Sequence, residues 1–175
     1  MKRLTAVLAV VAVILIGSGI AYAASMQFRT ELSGGSEVPV RVTGAEGDAR
    51  FKLDNDGEAR RFRLKVDDVE NLWMAHIHLA PAGSNGPIVV WLFPQAGPPP
   101  PSAIDGVSDG RVADGRITAE DLVGPLAGQS LSELVAQMEA GNTYVNVHTN
   151  DFVDPPNTGP GDFPGGEIRG QIHEH

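Results

Sequence analysis

Asp48-Ala49-Arg50-Phe51-Lys52-Leu53 and Arg61-Phe62-Arg63-Leu64-Lys65-Val66, separated by Asp54-Asn55-Asp56-Gly57, decide the fold class of this chain. In both runs apolar and charged residues alternate, the two-residue period of a strand with one dry face and one wet face. The Asp/Asn/Gly sequence between them is turn chemistry, so the two runs read as an antiparallel hairpin. The same four residues resemble the start of a calcium loop. They lack the later spaced acids and the distal glutamate, and they join strands rather than helices, so turn chemistry accounts for them.

Strand-like stretches continue on both sides of the hairpin. Residues 26–32 alternate ahead of the loop Ser33-Gly34-Gly35-Ser36, and 38–42, interrupted by Pro39, suits an edge strand or a connection. A strand is expected from about Asn71 to Leu79, and the apolar run Ile88-Val89-Val90-Trp91-Leu92-Phe93 reads as a well-covered strand. The proline-rich stretch 94–101 cannot join a ladder. Strand signals are weak over 106–117, and Thr118-Ala119-Glu120-Asp121 looks helical. Residues 130–138 form an amphipathic helix, with Leu131, Leu134, Val135 and Met138 on one side, a capping box expected from Ser130 and Glu133, and Gly141 as its stop. Strands at 144–148 and 167–172 flank a long Asp/Pro/Gly loop over 150–166. Short strands, frequent turns and one minor helix predict an all-β protein: an antiparallel Greek-key β-sandwich or flattened barrel with one short helix.

The first 23 residues read separately from this domain. Lys2 and Arg3 precede an apolar run from Leu4 to Ile16, then Gly17, Ser18 and Gly19, and Ala21-Tyr22-Ala23 has the small-x-small pattern of a cleavage site. Two readings follow: a signal peptide, residues 1–23, released from a β-domain spanning 24–175, or an uncleaved anchor. The glycine break and the Ala-Tyr-Ala site favour the signal peptide, and hence a secreted, periplasmic or cell-envelope location. The formal charge is −9, and loss of a leader carrying Lys2 and Arg3 but no acid leaves −11. Such acidity argues against nucleic acid and anionic membrane surfaces as partners. The partner expected instead is a protein of the envelope or extracellular space. With no cysteine in the chain, disulfides, thiol nucleophiles, zinc ribbons and iron–sulfur clusters are excluded.

Histidine placement carries the chemical suggestion. His76 and His78 in Ala75-His76-Ile77-His78-Leu79 emerge on one strand face, opposite Ala75, Ile77 and Leu79, about 7 Å apart along the strand. His148 closes Tyr144-Val145-Asn146-Val147-His148, opposite Val145 and Val147. All three lie on faces that the apolar core does not need, beside loops 81–87 and 150–166 that can cover them. Neutral imidazoles on rigid strands suit copper or zinc, and copper is the candidate cofactor, with His76, His78 and His148 as ligands. The alternative is half-exposed polar side chains that hydrogen-bond to loop backbone. His173 is a candidate fourth ligand, and Asp151, Asp154 and Asp162 are candidates to orient an imidazole. No carboxylate pair, serine elbow or phosphate loop points to an enzyme.

Four segments resemble the CHRD domain, named for its occurrence in chordin and common in exported bacterial proteins. They are Ala75-His76-Ile77-His78, Asn85-Gly86-Pro87-Ile88-Val89, residues 141–149 (Gly-Asn-Thr-Tyr-Val-Asn-Val-His-Thr) and residues 163–172 (Phe-Pro-Gly-Gly-Glu-Ile-Arg-Gly-Gln-Ile). Residues 153–162 look like an insertion relative to the typical pattern. The resemblance implies an extracytoplasmic β-domain; in chordin such domains belong to a secreted binder of growth factors. A more distant likeness is to copper–zinc superoxide dismutase, a Greek-key barrel in which a strand-borne His-x-His and a late histidine hold copper. That match implies a copper role for His76, His78 and His148. The metal-bridging histidine, the zinc-loop ligands and the disulfide of that family have no counterpart here, so dismutase activity is not implied.

Overall fold

A computed structural model describes residues 27–53, 59–95, 97 and 99–175; the expected leader and the 54–57 turn lie outside the described residues. The strands are β1 (Gln27–Ser33), β2 (Glu46–Leu53), β3 (Arg60–Leu79), β4 (Ile88–Phe93), β5 (Ile104–Ile117), β6 (Thr143–Thr149), β7 (Ile168–Gln171) and β8 (His173–Glu174). One helix, α1 (Leu131–Glu139), precedes β6. Strands β1, β2, β3, β6 and β7 pair antiparallel in a ring, which closes where Ser33 of β1 meets Arg169 of β7. The described residues therefore form an all-β flattened barrel with one short α-helix. The stretch 38–42 is a connection and not a strand. Among the described residues, no helix is long and apolar enough to cross a membrane.

Strand β3 organises the barrel, and here the structure corrects the sequence reading. The strands expected at 61–66 and from about 71 are one strand of 20 residues. Its first half pairs with β2 and β5, and its second half with β6 and β4. The polar run Asp67-Asp68-Val69-Glu70-Asn71 looks like a strand end but is a pair of bulges. Asp68 (φ 55) and Asn71 (φ 49) adopt the left-handed conformation that Asp and Asn tolerate best among residues with a Cβ.

The bulges decide where the histidines point. Phe62, Leu64 and Val66 face the core, and the next core positions are Val69, Leu72 and Ala75, each three residues on, before Ile77 resumes the period of two. Register shifts fall at these steps: between Val66 and Val69 and between Glu70 and Leu72 against β5, and between Leu72 and Met74 against β6. Three shifts reverse the parity of the strand. A regular strand that buries Phe62, Leu64 and Val66 would drive His76 and His78 into the apolar core; the bulged strand turns them to the outer face.

The core lies between the inner faces of the ring and is capped by α1, whose Leu134 and Met138 are fully buried. Each such side chain contributes about 1.5–3 kcal/mol of transfer free energy. The apolar face expected of α1 is the one it uses, but the capping box does not form. Ser130 makes no cap hydrogen bond; its Oγ lies 2.7 Å from Ser132 Oγ, and Glu133 accepts a bond from Gln137 Nε2 at 2.9 Å. The i,i+4 pair along the helix surface takes the glutamate away from the cap. A capping box does close the 3₁₀ turn 119–121, between Thr118 and Asp121.

Candidate metal centre

The outer face of β3, β6 and β7 carries three cross-strand rows: Met74–His148, His76–Asn146–Arg169 and His78–Tyr144–Gln171. This face is covered as well. All seven residues of β6 are buried, and His76, His78 and His148 are 0 %, 8 % and 6 % exposed. The rings are therefore buried rather than half-exposed, while His78 and His148 do bond loop backbone as that alternative expects. One ring nitrogen from each histidine lies within 4.8 Å of the others.

Hydrogen bonds assign the tautomers. His78 Nδ1 is 2.9 Å from the Gly86 carbonyl and His148 Nδ1 is 3.0 Å from the Pro164 carbonyl. A carbonyl only accepts, so both Nδ1 atoms carry the proton and both Nε2 atoms present a lone pair. His76 Nδ1 lies 3.1 Å from His148 Nε2 and must donate to it. The Nε2 atoms of His76 and His78 are then bare, and neither has a hydrogen-bond partner. A buried polar atom without a partner costs about 1–3 kcal/mol.

These atoms fit a soft or borderline metal ion. Metal–nitrogen bonds of about 2.0–2.1 Å place tetrahedral ligands roughly 3.3 Å apart, a modest contraction of the observed cluster. Burial pushes His76 down to about 2, with His148 and His78 adding to the shift, and pushes His148 down to about 4, with His78 adding. The His78 pKa is lowered too, by burial first, against the Gly86 bond, with Arg169 lowering it further. All three rings are neutral at physiological pH, the state in which imidazole binds metal.

The expected orienting carboxylates are not the ones used. Asp162 is buried but accepts from the Thr158 amide and hydroxyl, both at 2.9 Å, and Asp151 accepts from the Val153 amide at 2.8 Å. Backbone carbonyls of the two covering loops orient the rings instead, because the loops fold back over the histidines. His173 is exposed, opposite Arg29 of β1, and does not join the cluster.

Several residues that fix the site are invisible to strand alternation. Glu167, fully buried, accepts from Thr43 Oγ1 and Thr149 Oγ1, each at 2.6 Å, and from the Gly161 amide at 2.9 Å. It fastens the 37–45 connection and loop 150–166 to the end of β6. Arg169 bonds Asn85 Oδ1 at 3.1 Å and the Ser84 carbonyl at 2.9 Å, and its guanidinium lies 3.4 Å from the centre of the Tyr144 ring. Tyr144 stacks on His78, with centroids 4.9 Å apart, and its hydroxyl accepts from the Gly86 amide at 3.1 Å. Trp91 meets His76 edge-on at 4.2 Å. Gly86 is obligatory here, since a Cβ would lie 2.0 Å from the Leu79 carbonyl oxygen. Arg169 already stands at its strand position in the sequence; the loop carbonyls it holds become neighbours only on folding.

Fold and site together define a flattened antiparallel barrel with a buried cluster of three strand-borne histidines. The chain belongs to the CHRD domain family, whose model matches residues 28–155. That match ends inside the long loop, ahead of the β7 strand that closes the ring. No curated protein and no solved structure matches the chain.

Proposed function

We propose that this CHRD domain is an extracytoplasmic copper-binding protein that holds the ion through His76, His78 and His148. The observation that carries the reading is the pair of bare, buried Nε2 atoms on His76 and His78 within the three-histidine cluster, where His148 Nε2 would exchange the His76 Nδ1 bond for the ion. Three neutral nitrogen donors without a carboxylate, in an aromatic surround, favour copper over harder ions, and Cu(II) leads the affinity order for such donors. Bound copper would supply redox capacity. The residues of this chain orient the rings, exclude water and keep the imidazoles unprotonated. Burial of all three rings leaves no open mouth for a substrate, which supports holding the ion or passing electrons rather than turnover. The N-terminal pattern and the absence of cysteine support an exported location.

A protein-binding role is the second reading, favoured by exposed apolar side chains on loops: Val42, in the connection between β1 and β2, is 89 % exposed, and Val153 and Phe152, in loop 150–166, are 64 % and 50 % exposed. Titration of metal-free protein with copper separates the two. One tight equivalent that disappears in His76→Ala/His148→Ala is the expected result. Unchanged stoichiometry in that variant overturns the copper reading and leaves the loop surface as the functional one.

A further inference from the structure

Eight of the thirteen lysines and arginines of this acidic chain stand on one exposed sheet face, formed by β1, β2, the first half of β3 and β5. They are aligned in register. Arg29, Arg50 and Arg63 are directly opposite one another on β1, β2 and β3, and Lys52, Arg61 and Arg116 form the next row on β2, β3 and β5. Lys65 and Arg111 pair beside them. Between the two main rows runs a cleft of about 360 Å³, floored by Phe51, Phe62 and Gly115. Ion pairs on this face include Arg50 with Asp48 at 3.6 Å and Arg111 with Asp114 at 3.3 Å, and Asp114 stands directly opposite Arg63 on β5. Both pairs are solvent-exposed and contribute little.

Like charges directly opposite on neighbouring strands destabilise a sheet, so an anion lying across Arg29, Arg50 and Arg63 would relieve that row. We propose that this cleft binds a linear acidic polysaccharide. Other polyanions fit worse. A single-stranded nucleic acid needs aromatic platforms for its bases, and the exposed side chains of these rows include none. A membrane surface needs apolar side chains among the cations, and these are absent too. Glu46, Asp48 and Asp67, at the other end of the same face, would also meet a flat anionic surface. A thin chain crossing the strands along the two rows meets mainly cations, and Gln27 at the cleft offers a hydrogen bond to a sugar hydroxyl.

The test is equilibrium binding of the purified protein to heparin and to oligogalacturonate across a salt series, with oligothymidylate and phosphatidylserine vesicles as comparison ligands. One or both glycans should bind at low salt and weaken linearly with the logarithm of salt concentration. Arg50→Gln/Arg63→Gln should lose about tenfold in affinity and lower the salt slope by about two, while Arg50→Lys/Arg63→Lys keeps most of both. His76→Ala should bind glycan as the wild type does, which separates this surface from the metal reading. Equal glycan binding by the wild type and the Gln variant overturns the proposal. So does failure of both glycans to bind at low salt, or binding of oligothymidylate or vesicles as tight as that of glycan.

Discussion

The two halves of β3 have the same alternation and opposite outer faces. From Arg61 to Lys65 the outer side chains are exposed cations, whereas Met74, His76 and His78 are buried. The inner faces do not differ in kind: Phe62 and Leu64 in one half and Ala75 and Ile77 in the other enter the same core. The contrast comes from what lies outside the sheet. Loops 81–87 and 150–166 fold over the second half, with Arg169 and Glu167 fastening them down, and the face of the first half carries no such cover. An alternating strand specifies which side chains leave the core; whether they meet water depends on chain far away in sequence.

The largest break in this contrast comes from the metal. With free copper at a thousand times its dissociation constant, the protein should gain about 4 kcal/mol in denaturant unfolding. The His76→Ala/His148→Ala variant should gain nothing, and an equal gain there would place the ion elsewhere.

Acid should act on the covered half next. Metal-free His76 and His148 have folded pKa values far below the ordinary histidine value of about 6.5. In that window the unfolded chain binds more protons, so stability is complete above pH 6.5 and falls as the pH drops toward 4. At pH 5 the loss is about 2 kcal/mol for each of these two rings. Glu37 opposes it, because burial raises its carboxyl to about 7, against lowering by the Val38 bond, Arg169 and Arg41. A flat stability profile between pH 7 and 5 in the metal-free protein would contradict the buried cluster.

Arg169→Ala should cost about 2–4 kcal/mol, since it strands Asn85 Oδ1 and the Ser84 carbonyl and uncovers Tyr144. It should also loosen loop 81–87, read as faster amide exchange at Gly86. Exchange as slow as in the wild type would show that the loop holds without its fastener.

Glu37→Gln is a smaller and opposite change. Glu37 Oε1 is buried without a hydrogen-bond partner, close to Asn146 and to the space where Gly166 (φ 122) lacks a Cβ. Ionising this carboxyl costs the folded state, so its stabilisation is lost as the pH rises from about 4.5 through 7. The amide should therefore raise stability at pH 8 by about 1–2 kcal/mol and steepen the acid loss. Smallest of all, Arg50→Gln on the uncovered half should stabilise by about 0.2–1 kcal/mol at low salt, by removing a charge opposed on both sides, and the gain should vanish at high salt. A destabilisation there would mean that the cationic rows are already compensated within the fold.

Much of the barrel was legible in the residues. Alternation in 48–53, 61–66 and 144–148 marked strands and their core faces, and His76, His78 and His148 were separable from the core because Ala75, Ile77, Val145 and Val147 lay opposite them. Strand β5 left only a weak trace because it supplies few apolar side chains and is held by backbone pairing with β3. The bulges at 67–68 and 71 were hidden for a related reason: polar residues with turn chemistry look the same whether the chain ends a strand or bends within one.

Residue pattern alone therefore determined the all-β class, the inward and outward sides of most strands, and three histidines free of the core, because local alternation and turn chemistry are properties of neighbouring residues. Tertiary structure decided that β3 is one bulged strand, that the three histidines meet, and that carbonyls of Gly86 and Pro164 orient two of them. It also decided that one half of the outer face is dry and the other wet. These depend on contacts between residues far apart in the chain, and no short-range pattern encodes which loop will cover which face.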